Sequence, residues 1–167
     1  MARRSFGTTG MSAVAVADTT NMVNQQFMAW LGATAIQRTY FYELYFAGQA
    51  AASAPCLLSF GHDSTIWATP TIAGTFFDAT LDPAGAAAAL CTPHNSAVTT
   101  FPQRSATLGH LLQPQFNAFG GIVRLQYDQI GAPQIVGNTA SLGEMSLSAF
   151  TGSTTATIGG HVIYETM

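Results

Sequence analysis

The decapeptide from Arg38 to Ala47, RTYFYELYFA, constrains the fold of this chain more than any other stretch. Its aromatic and β-branched residues favour an extended strand, in which successive side chains point to opposite faces. Tyr40, Tyr42, Leu44 and Phe46 then share one face, and Phe41, Glu43 and Tyr45 share the other. Both faces are apolar apart from Glu43. Such a strand is central in a sandwich, or packs one face on the core and the other on a neighbouring subunit.

The rest of the chain reads the same way. Pro55, Pro70, Pro83, Pro93, Pro102, Pro114 and Pro133 recur about as often as short strands end. From Gly121 to Asp128, Val123, Leu125 and Tyr127 alternate with Arg124, Gln126 and Asp128, the pattern of a half-buried strand. Further strands are predicted at Cys56 to Phe60, Ser64 to Ala68, Gly74 to Leu81, Val98 to Phe101, Ser105 to Leu112, Met145 to Phe150 and Thr154 to Tyr164. Gly159-Gly160 marks a bulge or bend in the last of these. One short helix is predicted near 82–91, where Asp82-Pro83 supplies an N-cap and a first-turn proline ahead of an alanine run, and Thr92-Pro93 stops it. Asn21 to Leu31 is compatible with a short strand or a helix. The expected architecture is therefore all-β: a sandwich of about eight or nine strands over 36–167, preceded by an extended N-terminal arm, 1–35, that makes assembly contacts. Arg3-Arg4-Ser5-Phe6 followed by Met11 to Ala17 faintly resembles a twin-arginine export signal, but the apolar part is short and broken by Gly7 and Gly10. An uncleaved, ordered arm is the expectation.

Composition bounds the function. A chain of 167 residues allows one domain of ordinary size. Only 8% of its residues are charged, 5 Lys+Arg and 8 Asp+Glu, against roughly 25% in an average soluble domain. All five basic residues are arginine (Arg3, Arg4, Arg38, Arg104 and Arg124), so no lysine solubilises a face or guards a sheet edge. A largely neutral surface suits a protein that functions inside an assembly. A net charge of -3 and a pI near 5.6 supply no basic stripe, which disfavours nucleic-acid binding. With 48% hydrophobic residues and a mean hydropathy of +0.25 the chain can bury a core, which disfavours disorder. No apolar run approaches the ~20 residues of a membrane helix, so no membrane is expected as a partner.

Candidate chemistry is sparse. His62-Asp63-Ser64 contains three catalytic residue types, but members of a working triad converge through the fold, and side by side they read as a polar loop after the Cys56 to Phe60 strand. His62, His94, His110 and His161 are scattered without metal-ligand spacing, and no glycine loop precedes a helix to cradle a phosphate. No enzyme activity, cofactor or metal is expected. Glu43 stands out, because a carboxylate among aromatics requires a partner if buried. Arg38, Arg104 and Arg124 are the available cations, and Glu43 with Arg124 is the candidate buried ion pair. Cys56 and Cys91 are expected as buried free thiols. Gln113 to Gly121 reads as a loop whose aromatics suit a protein contact. The candidate interface residues are Arg3, Arg4, Phe6, Phe27, Trp30, Phe41, Tyr45, Phe116 and Phe119.

The order of a polar arm, a strand ending YELYFAGQ, the segment LDPAGAAAAL, a late strand GIVRLQY and a terminal TATIGGHVIYE resembles the small jelly-roll proteins encoded beside the major capsid gene in tailed-phage genomes, described as decoration, cement or minor head proteins. The likeness runs over roughly Tyr40 to Glu165 and is closest at Glu43 to Gly48 and Leu81 to Ala89, with Gln103 to Thr107 an approximate match to a further segment of those proteins. The resemblance implies a jelly-roll sandwich that decorates a capsid as a homotrimer by binding major capsid protein. It places the protein in the virion, after synthesis in the host cytoplasm. A tail or fibre-base protein, or one that binds a host glycan, is the alternative.

Overall fold

A computed structural model describes residues 3–13, 27–32, 35–36, 38–65, 91–95, 103–105, 107–108, 110–139, 143–151 and 156–167. The described residues form twelve strands and no helix: β1 (Arg3–Ala13), β2 (Phe27–Gly32), β3 (Arg38–Gly48), β4 (Pro55–Thr65), β5 (Cys91–Asn95), β6 (Gln103–Arg104), β7 (His110–Leu112), β8 (Gln115–Asn117), β9 (Ile122–Gln126), β10 (Gln134–Val136), β11 (Glu144–Thr151) and β12 (Ala156–Thr166). All described pairings are antiparallel, in two sheets packed face to face. Sheet one runs β1-β12-β3, with β9 and then β10 along the far edge of β3. Sheet two runs β5-β2-β11-β4, with β6, β7 and β8 following one another along the far edge of β4. Taking β6 to β8 as one interrupted strand and β9 to β10 as another, the order is first-eighth-third-sixth in one sheet and second-seventh-fourth-fifth in the other, with β5 added beside β2. In this order successive strands cross from one sheet to the other except between the fourth and the fifth.

The core lies between the sheets. Trp30 from β2, Phe41 from β3 and Phe60 from β4 are fully buried and meet edge to face, with ring centroids 5.3 Å (Trp30 to Phe41) and 5.2 Å (Phe41 to Phe60) apart. Leu44, Phe46, Leu58, Leu147, Ile158 and Val162 complete it.

Several expectations change. The face assignment of β3 is interrupted: Ile163 pairs with Glu43, but the next residue, Tyr164, pairs with Phe41, so Tyr42 is an extra residue in the ladder. This β-bulge turns Phe41 onto the face of Leu44 and Phe46, and all three are buried. The first 35 residues are not wholly outside the sandwich, since β1 pairs along β12, at the end of sheet one among the described residues, and β2 is an inner strand of sheet two. Strict alternation is absent from β2 because it is covered on both faces: Met28, Ala29 and Trp30 are all fully buried. His62 and Asp63 are not in a loop, since β4 runs on to Thr65. The stretch from Ser105 to Leu112 is not one strand, because β6 ends at Arg104 and β7 begins at His110. Segments 66–90 and 96–102, which include the predicted strands at 74–81 and 98–101 and nearly all of the predicted helix, lie outside the described residues; Cys91, its last residue, begins β5.

Gly159-Gly160 marks an irregularity, but β1 carries it: the β1 register skips between Thr8, opposite Gly160, and Met11, opposite Ile158. Gly160 itself is a close approach, where an added Cβ would lie 2.0 Å from the Tyr45 carbonyl oxygen.

Candidate functional site

The outer face of sheet one gathers polar and aromatic side chains from three adjacent strands. Pairing sets Glu43 of β3 opposite Gln126 of β9, and Tyr45 between Arg124 of β9 and His161 of β12. Glu43 Oε2 accepts hydrogen bonds from Gln126 Nε2 at 2.7 Å and Arg124 Nη2 at 3.1 Å, and Oε1 lies 3.3 Å from His161 Nε2. The Tyr45 ring stacks on His161 at 5.4 Å, with the planes 23° apart. Burial raises the Glu43 carboxyl, but the hydrogen bonds from Gln126 and Arg124, the Arg124 charge and the His161 contact outweigh it, and the net shift is downward.

The Glu43–Arg124 pair forms, but at the surface, because the Arg124 side chain is 56% exposed. β9 alternates, and with Val123 buried its neighbour Arg124 faces outward. Gln126 and His161, which join the pair, were legible only in part: Gln126 shares the outward positions of β9 with Arg124, whereas the position of His161 depends on the β3–β12 register.

The other candidate interface residues divide. Trp30 and Phe41 are core residues, fully buried, and form no part of an outer surface. Arg3, Arg4 and Phe6 lie on β1, paired with Glu165, Tyr164 and Val162, and Phe27 lies on β2 opposite Ser148. Phe116 on β8 is half-buried and packs against the core. Phe119 is 59% exposed in the turn that carries the chain from β8 to β9, and Ile122 after it is 60% exposed. Asn117 fixes that corner: its Oδ1 accepts from the Ala54 and Phe119 amides, both at 3.0 Å, and its Nδ2 donates to Ser53 Oγ at 2.8 Å. Gln113 to Gly121 thus contains a short strand and a braced turn.

A second cluster, unforeseen in the sequence, lies on the opposite side of the molecule. On the outer face of sheet two, β4 presents Ser59, Gly61 and Asp63, and β11 presents Ser148, Ser146 and Glu144 in matching register. All six are buried. Arg104 of β6 extends over them. Its Nη1 contacts Asp63 Oδ1 at 3.1 Å, the Gly61 carbonyl at 2.6 Å and the Ser146 carbonyl and Oγ at 3.2 and 3.0 Å. Its Nη2 reaches the Ser59 carbonyl and Oγ at 3.3 and 3.4 Å. Burial pushes the Asp63 carboxyl up to about 6, against the pull of the Arg104 charge and of hydrogen bonds with Ser146 and Glu144. Burial lowers the His62 imidazole, partly opposed by a backbone hydrogen bond at Glu144, and the Arg104 charge lowers it further. The alternation of small and polar residues with apolar ones along PCLLSFGHDST was the available signal for this face.

The outer face of sheet one offers hydrogen-bonding groups and an aromatic stack at an accessible surface, which suits docking. The cluster on sheet two is closed to solvent and suits structure. Among the described residues no group of three His, Cys, Asp or Glu side chains converges as metal ligands, and no helix is long and apolar enough to cross a membrane. Compared with family models, curated proteins and solved structures, the chain matches none.

Proposed function

We propose that this chain is a structural virion protein of a tailed phage, a jelly roll that decorates and cements the capsid as a homotrimer by binding major capsid protein. The observation that carries the reading is the scarcity of surface charge. The chain has 13 charged residues, and three of them, Asp63, Arg104 and Glu144, are buried, which leaves at most ten for the whole surface. A subunit held by neighbours on several sides tolerates such a surface, whereas a free monomer depends on charge for solubility. Strand order adds support, since jelly rolls recur in capsid and lectin domains. The binding energy comes from contact area, multiplied by avidity when many copies bind one shell. The outer face of sheet one, with Tyr45, Ile122 and His161, is the contact surface this reading favours.

The test is light scattering of the purified chain over a concentration series, followed by co-sedimentation with shells of the major capsid protein. A mass near three times 17.5 kDa and saturable binding to shells are expected. A monodisperse monomer that ignores shells overturns the reading. A second virion address, a tail or fibre-base protein that contacts a host glycan, draws on the exposed Phe119. Specific signal on a glycan array without shell binding would move the assignment there.

A further inference from the structure

Three segments meet at the end of the sandwich where β3 ends. The Gly48 amide donates to the Gly121 carbonyl at 3.0 Å, the Ala50 amide to the Ala118 carbonyl at 3.0 Å and the Gln49 amide to the Thr157 carbonyl at 2.8 Å. None of the residues 48–54, 117–123 and 156–160 is ionisable. Two features stand on this uncharged corner. One is a cleft of about 340 Å³ between the 49–54 loop and the start of β12, walled largely by alanine. The other is Phe119, which its own chain leaves 59% exposed. The Asn117 carboxamide accepts from the Phe119 amide at 3.0 Å and donates to Ser53 Oγ at 2.8 Å, so the exposed ring is carried on a fixed backbone beside the cleft.

A cavity of about 150 Å³ holds a benzene molecule, so the cleft has room for a phenyl ring. A charged side chain entering it would lose its hydration and find no counter-charge on the walls, so the fitting occupant is uncharged. A preorganised aromatic anchor seated in a pocket is also the form that interface hot spots take. The corner supplies such an anchor itself, on a surface as neutral as the one it would meet.

We propose that copies of this chain meet at this corner, with Phe119 of one copy seated in the cleft of the next. Ring and cleft are different features, so the contact is heterologous, and repeated about a threefold axis it closes a ring of three. The inference rests on the self-association in the reading above and not on the capsid partner.

The test is light scattering over a concentration series for the full chain, Phe119→Asp, Ala51→Arg and the double variant, each also sedimented with shells of the major capsid protein. Both positions are exposed, so the substitutions leave the core untouched. Each single variant places an unpaired charge in the contact and is expected to weaken association about thirtyfold or more. In the double variant the introduced carboxylate of one copy meets the introduced guanidinium of the next, and association is expected to return. An oligomer whose mass neither single substitution lowers overturns the inference and leaves the proposed function standing, as does a double variant that dissociates as readily as the singles. Loss of shell binding by Phe119→Asp with the oligomer intact also overturns it and assigns the corner to the capsid protein. An unaltered chain that binds shells as a monomer overturns the self-contact alone, and a monomer that ignores shells overturns both.

Discussion

Arg104 and Arg124 each lie 3.1 Å from a carboxylate, yet their side chains are 1% and 56% exposed. Distance alone would rank them equal. Water screens the Arg124 pair and competes for both groups, so replacing Arg124 by Ala is expected to cost about 0–1 kcal/mol. Replacing Arg104 by Ala leaves Asp63 buried without its cation, and the expected loss is about 3–5 kcal/mol. Urea unfolding of both variants near neutral pH checks the contrast, and comparable losses would mean that burial does not set the strength of these pairs. At this scale the sequence was legible where a residue clashed with its neighbours, as Glu43 does among aromatics. It was not legible at Asp63, whose immediate neighbours, His62 and Ser64, have the composition of a turn.

Between β3 and β12 the elements are held by a backbone approach that only glycine allows. A Cβ on Gly160 would lie 2.0 Å from the Tyr45 carbonyl oxygen and 2.7 Å from the Phe46 Cα, so it cannot be absorbed by a rotating side chain. Gly160→Ala is expected to prise β12 from β3 locally and to destabilise the protein by about 1–3 kcal/mol, a typical cost of overpacking. Faster amide hydrogen exchange in Leu44 to Gly48 and Ile158 to Val162 would report the separation, and exchange unchanged there would refute it. The same pair of strands shows why alternation read along a chain has limited reach. A single extra residue at Tyr42 moves Phe41 from the face of Glu43 to the core. Bulges depend on the partner strand as well as on the residues that form them.

At the scale of the molecule, Cys56 reports on global opening. Its thiol is free and buried, and burial pushes its pKa up to about 11. Thiol reagents attack the thiolate, so labelling requires exposure of the core. In the Cys91→Ser chain, labelling of Cys56 at mildly alkaline pH is expected to follow the unfolding equilibrium across a denaturant series. Labelling at the rate of a free thiol in the absence of denaturant would contradict the buried position. What the sequence determined by itself was the all-β class, the positions of the long strands β3, β11 and β12, and a neutral surface, because propensity, alternation and composition act within a few residues. Tertiary structure decided which strands are neighbours, that β2 lies inside a sheet, which face Phe41 takes, and that Asp63 meets an arginine 41 residues away. Those outcomes depend on the free energy of pairing distant segments in one register, and no local stretch of the chain encodes that quantity.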